Sequence, residues 1–313
     1  FTQYSSSGKS HKRLEPRANI RVSLTDFLSI KAGYARTNQY VQQLCNSYVS
    51  LPTEPWIPIA DKWEPLKSDI VSAGIYGDIT DEVFFAVEGY YKWMDNLLEY
   101  REDNIMFTAL TNWNDKLTSG RGEAYGIDLS VNKNKGRLTG TVGYGLMWNN
   151  RQFDELNRGE WFPAKYDNRH KINVSYTRKF TKRFDAYIAW CWHSGNRMTV
   201  ADYMVDTRHV FTMGDKPVKV EMEGFAVSEI PFYTRPNNVK IPDYHRMDLG
   251  CNWHRVTKRG NESIWNLSIY NVYCRMNPFY AVVGRNGMYS SEIKARAYGL
   301  VPIIPSFSYT LKF

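Results

Sequence analysis

Apolar and polar residues alternate with a period of two along most of this chain, the signature of β-strands with one buried face. The cleanest run is 138–148. Leu138, Val142, Tyr144, Leu146 and Trp148 share one face, and Thr139, Thr141, Gly143 and Gly145 the other. Phe184, Ala186, Ile188, Trp190 and Trp192 oppose Asp185, Tyr187, Ala189 and His193 in the same way, as do Met247, Leu249, Cys251 and Trp253 against Arg246, Asp248, Asn252 and His254. The pattern predicts eleven strands, near 18–25, 28–41, 69–77, 83–98, 123–132, 137–150, 170–180, 183–195, 244–256, 263–274 and 296–313.

The connections between these strands alternate strictly. Short turns fall at Thr25–Phe27, Gly77–Asp81, Asn132–Gly136, Thr181–Arg183 and Lys258–Glu262. Long loops fall at about 42–68, 99–122, 151–169, 196–243 and 275–295. A soluble sandwich has no reason to sort its loops so, and structureless loops this long are uncommon in compact domains. A transmembrane barrel does sort them, with tight periplasmic turns at one end and extended external loops at the other. The last strand then runs inward from the long-loop end.

The two faces differ in chemistry. Arg21, Lys31, Glu88, Lys92, Asp128, Lys171, Asp185, Arg246 and Asp248 fall on the polar side, expected to line a lumen, and the other side is largely aliphatic and aromatic. The fold class expected is therefore all-β, an antiparallel transmembrane β-barrel. A soluble sheet with one wet face is the competing reading. It needs a second layer to cover the outward aromatics, and no helical segment supplies one.

Composition sharpens this choice. Of 313 residues 15% are aromatic, with 22 Tyr and 10 Trp, yet mean hydropathy is −0.50. A polar lumen with aromatic girdles reconciles the two values. No apolar run approaches the roughly 20 residues of a transmembrane helix. The net charge of +8 permits nucleic-acid binding, but the basic residues are scattered and no recognition motif accompanies them, so no nucleic-acid partner is expected. Cys45, Cys191, Cys251 and Cys274 form no close pair, and the histidines form no metal-binding spacing, so neither a metal nor a cofactor is expected. The opening FTQYSSSGKSHKR has no basic segment followed by an apolar one. An export signal upstream is therefore expected.

The final segment, Ile303 to Phe313, alternates and ends on an aromatic residue. It resembles the terminal strand of bacterial outer-membrane proteins, where the last Phe is read by the barrel assembly machinery; Phe313 would carry that signal. LEPRANIRVSLTDFLSIKAGYARTNQYVQQL, EAYGIDLSVNKNKGRLTGTVGYGLMWNNRQF and SIYNVYCRMNPFY resemble the TonB-dependent receptors of Bacteroidota-type bacteria. They are closer to those with a carboxypeptidase-regulatory-like N-terminal domain than to the starch-utilisation receptors. The resemblance implies a plug followed by a 22-stranded barrel. Residues 1–313 would then be the C-terminal part of one barrel domain, without counterparts of the plug and first half. It also implies an outer-membrane importer of a scarce, bulky nutrient (siderophore, cobalamin, glycan or peptide), driven by the TonB complex through the plug.

On that reading, recognition falls in the loops and upper lumen. The candidates are Trp56, Trp63, Trp113, Trp161, Arg197, Tyr203, Arg208, His209, Phe232, Tyr233 and Arg235, since rings with adjacent arginines suit sugars, aromatic chelates or anions. Each ring equally suits a structural role, pinning loops or joining the girdle. Asp185, Arg246 and Asp248 are expected to form a structural ion ladder, and His193 and His209 to be hydrogen-bonded or solvated rather than to bind a metal chelate. No nucleophile stands beside the carboxylates, so an enzyme is not expected. A passive porin or specific diffusion channel and a soluble carbohydrate-binding sandwich are the remaining alternatives.

Overall fold

The computed structural model describes residues 2–5, 10–47, 54–59, 62–101, 113–206, 212–213, 216–217, 229–256, 260–285 and 293–312. Eleven strands form the path of one antiparallel sheet: β1 Arg17–Ser23, β2 Leu28–Gln39, β3 Leu66–Thr80, β4 Val83–Tyr100, β5 Leu117–Lys133, β6 Leu138–Phe153, β7 His170–Thr181, β8 Phe184–His193, β9 Tyr244–Val256, β10 Glu262–Tyr270 and β11 Ile304–Lys312; a twelfth, the short Phe162–Pro163, pairs with the end of β6. Each lies beside its neighbours in sequence, from β1 at one edge to β11 at the other. This is a meander of hairpins, as the short turns require.

Several boundaries differ from the periodicity. Residues 296–299, expected in the last strand, instead belong to Ile293–Gly299, which pairs with Pro278–Arg285 in a loop hairpin. Pro302 lies between that hairpin and β11 and has no N–H for a ladder. The strand expected over 263–274 stops at Tyr270 because Asn271 takes a positive φ of 54°. The fully buried Asn271 side chain bonds the Arg275 and Val301 carbonyls, at 2.9 and 3.2 Å. β3, β4 and β5 reach further toward the long loops than alternation foretold. β4 does so through a bulge at Asn96, φ 63°, where the register shifts between Asp95 and Leu97.

Paired residues share a face, so the ladders define rows across the sheet. On the apolar face Tyr34, Val71, Tyr91, Tyr125 and Trp148 form one row. Within it Tyr91 stacks on Tyr125 at 5.6 Å and Tyr125 on Trp148 at 5.4 Å. Immediately toward the long loops the same face turns ionic: Arg36 bonds Asp69 at 2.7 Å, and Lys67 reaches Asp69 at 3.5 Å and Asp95 at 3.0 Å. At the short-turn end Phe184, Trp253, Trp265 and Tyr309 form a second row, with Phe184 5.3 Å from Trp253 and Trp265 4.9 Å from Tyr309. Between the rows lie exposed aliphatics such as Ile75, Val87, Leu129 and Val142. No second layer covers them among the described residues.

The buried clusters sit at the long-loop end. Leu97, Phe153, Leu156 and Phe162 form one, with Leu66, Met94 and Tyr233 against it. Leu44, Leu98 and Leu117 form another. The loops are therefore packed structure, and the sheet wall itself carries little core.

Candidate functional site at the long-loop end

The polar face is organised by register. Arg21, Lys31, Gly74, Glu88, Asp128, Gly145, Lys171, His193 and Tyr244 occupy a single row across nine strands. Lys31 lies 4.0 Å over the Tyr76 ring, whose hydroxyl donates to Glu88 at 2.6 Å. Gly145 leaves room for its neighbour: a Cβ there would sit 2.8 Å from Asp128 Oδ1. Lys92 stands on the same face two pleat repeats from Glu88, paired with Ala124 and Ile70. The expected ladder of Asp185 with Arg246 and Asp248 is not formed. Arg246 bonds Asp248 at 2.9 Å, but register sets Asp185 opposite Asn252, and its partners are Asn252 at 2.8 Å and His254 at 2.5 Å.

Above this row the loops interlock. Buried Asn237, at φ 54°, donates its amide to the Pro163 carbonyl at 3.0 Å and to Ser47 Oγ at 3.4 Å, and its N–H to Thr199 Oγ1 at 2.8 Å. The Thr199 hydroxyl in turn donates to the Ser47 carbonyl. One asparagine thus ties three loops together. Fully buried Asp167 accepts from Arg197 at 3.0 Å and Arg169 at 3.2 Å. Fully buried Glu99 accepts from the Ser47 N–H at 2.9 Å and pairs with Arg151 at 3.2 Å.

Between these loops is a cavity of about 340 Å³ whose walls include Glu54, Lys165, Tyr166, His193, Tyr244 and Phe279. Lys165 pairs with Glu54, and the Tyr166 hydroxyl donates to Glu54 at 3.1 Å. The His193 and Tyr244 rings are parallel at 4.8 Å. Charge, donors and flat rings together suit a polar ligand with apolar faces.

Of the loop residues singled out from sequence, the seven whose side chains are described, Trp56, Trp63, Trp161, Arg197, Phe232, Tyr233 and Arg235, do not line this cavity. Trp56 is exposed on a small hairpin. Trp63 packs against the Leu44 cluster with Lys62 5.1 Å over its ring. Trp161 is exposed beneath Arg121 at 5.7 Å, and its carbonyl accepts from Arg235 at 3.2 Å. Arg197 is held by Asp167. Tyr203 pairs with Phe232 along a hairpin, and Phe232 is exposed. Tyr233 packs into the mouth cluster. Trp113 opens a short 3-10 turn, and Arg208, His209 and Phe313 lie outside the described residues. The lining residues missed lie in proline-flanked loops and include polar groups such as Glu54, Lys165 and Tyr166 and apolar ones such as Ile241 and Phe279. Only His193 and Tyr244, the last and first residues of β8 and β9, carried the alternation as a signal. Among the described residues no cluster of potential metal ligands is present.

Burial pushes the Cys45 thiol up to about 11, helped by Glu54 and Glu99 and opposed by Arg151. A thiol of raised pKa holds little reactive thiolate at ordinary pH. Exposed Cys274 is therefore expected to alkylate with iodoacetamide at pH 8 while Cys45 is spared, and Cys45 labelling is expected to rise only as pH nears 11. Equal labelling at pH 8, resolved by peptide mass spectrometry, would show that the loop packing opens.

An antiparallel wall with one apolar face, two aromatic rows and packed loops at a single end defines part of an outer-membrane type of β-barrel. The family model described as TonB dependent receptor-like, beta-barrel matches residues 1–272. The chain belongs to that family. No curated protein matches it. Among solved structures, the ferric yersiniabactin uptake receptor FyuA of Yersinia pestis aligns with 97% of this chain and 38% of its own, at 14% identity and TM-score 0.57. The ferripyoverdine receptor of the Pseudomonas aeruginosa outer membrane aligns with 98% of this chain and 34% of its own, at 13% identity and TM-score 0.57. The FrpB iron transporter of Neisseria meningitidis aligns with 96% and 39%, at 12% identity and TM-score 0.55. At such identity these establish the fold. The chain spans little more than a third of each.

Proposed function

We propose that the chain forms the C-terminal eleven strands of a TonB-dependent outer-membrane receptor that imports a bulky nutrient. The observation that carries this reading is the three-loop knot at Asn237 above a polar, charge-rowed face. Loops so fixed can hold a binding cavity at the outer mouth, whereas a simple diffusion pore has no need of one. The remaining strands and a plug complete the barrel, because among the described residues β1 and β11 each pair on one side only and an open ladder in lipid is costly. The plug takes energy from TonB, and Phe313 addresses the barrel assembly machinery. The neighbours' ferric siderophores make the first ligand screen, followed by glycans, cobalamin and peptides. Uptake of the active ligand should stop when a protonophore collapses the inner-membrane potential; uptake that persists would favour a passive channel.

The assignment of faces is separately testable. Val142 is on the apolar face and Thr141 on the polar one. An arginine in mid-bilayer costs about 2–4 kcal/mol on a lipid face and little on a lumen face. Val142→Arg is therefore expected to lower the temperature at which the folded band is lost on unboiled gels, and Thr141→Arg to leave it nearly unchanged. Equal effects would remove the lipid assignment.

A further inference from the structure

Charge on the apolar face is handled differently at the long-loop rim and around the row of Phe184 and Trp253. At the long-loop rim its charges neutralise one another, as Arg36, Asp69, Lys67 and Asp95 do. At the short-turn rim, around the row of Phe184 and Trp253, they do not. Arg178 lies on the apolar face, opposite Leu138 and Ala186, one step in from Phe180. Its guanidinium lies 5.1 Å over the Phe180 ring, which in turn is 5.6 Å from Phe184. Arg255 is on the same face one step beyond Trp253, opposite Ser263. Lys182 and Arg183 stand in the turn between β7 and β8. All four are exposed, and none has a carboxylate within ion-pair distance among the described residues. The nearby carboxylates are already engaged: Asp185 by His254 and Asn252, Glu262 by Lys312 and His254.

A cation on a lipid face is costly unless it snorkels to the interface and finds an anion there. The aromatic row marks where that interface lies. Four uncompensated cations framing it call for a negatively charged headgroup, and basic clusters at a membrane surface recruit anionic lipid. We propose that Arg178, Lys182, Arg183 and Arg255 form a docking site for the phosphate headgroup of an anionic phospholipid in the inner leaflet of the outer membrane. The site rests on the membrane reading above. The planar guanidinium of Arg178, stacked on Phe180, has two parallel donors to offer a phosphate, and Arg255 follows Trp253 on the same face in register.

The test uses the full-length protein purified in detergent and placed in phosphatidylcholine nanodiscs with or without phosphatidylglycerol. Native mass spectrometry is expected to find phosphatidylglycerol retained several-fold over phosphatidylcholine, with the preference lost in Arg178→Gln/Arg255→Gln and kept in Arg178→Lys/Arg255→Lys. Heat-modifiable gel mobility reports folding of each variant in both lipids. Folding with equal retention of the two lipids, or an unchanged preference in the glutamine variant, overturns the proposal alone. Failure to insert into either bilayer overturns the membrane reading and the lipid site with it. Selective retention of lipopolysaccharide instead would assign this rim to the opposite leaflet and also overturns it.

Discussion

Replacing Arg151 with methionine is expected to destabilise the long-loop end by about 3–5 kcal/mol, because it strands a buried carboxylate. Glu99 is fully buried, and Arg151 is the cation that pairs with it, at 3.2 Å. Only neutral donors of Ser47, its N–H at 2.9 Å and its hydroxyl, would remain among the described residues to satisfy that charge. The double variant Glu99→Gln/Arg151→Met removes the charge while keeping an acceptor for Ser47, and most of the stability is expected to return. The measurement is the midpoint of heat-modifiable mobility for the wild type and the single and double variants. A single variant as stable as the wild type would show that water reaches Glu99 and that this pair does not anchor the loop.

Phe162→Ala is expected to cost a similar amount, about 3–5 kcal/mol, by opening a cavity in a packed cluster. Phe162 is fully buried, its ring 6.1 Å from Phe153, with Leu97 and Leu156 completing the cluster. The loss should appear locally first, as protease cutting in residues 154–169, while the sheet persists. Phe162 also pairs directly with Arg151. The two substitutions are in contact and should not add; strict additivity would mean that loop and strand end melt independently.

The wall was legible in the sequence because it obeys a rule of period two, imposed by one apolar and one polar face. Leu138 through Trp148 needed no tertiary knowledge to sort. Strand ends were less legible: the Asn96 bulge lets β4 overrun, and the break at Asn271 depends on carbonyls offered by Arg275 and Val301. The loop site was hardly legible at all. Asn237, Glu54, Lys165 and Asp167 matter through partners 30 to more than 100 residues away, and no local pattern announces such pairs. Large aromatics drew the eye instead, yet Trp63 and Tyr233 serve as packing. Register had a similar effect on the polar face. Asp185 and Arg246 share a face, but only the offset between β8 and β9 determines that Asp185 meets His254.

The row from Arg21 to Tyr244 has a directional consequence. Its charges come in sectors, basic at Arg21 and Lys31, acidic at Glu88 and Asp128, basic again at Lys171. The resulting field runs around the circumference of the wall rather than along its axis. A body seated against it with a charge pattern of its own would feel a torque and settle at one angle, as a key does in a ward.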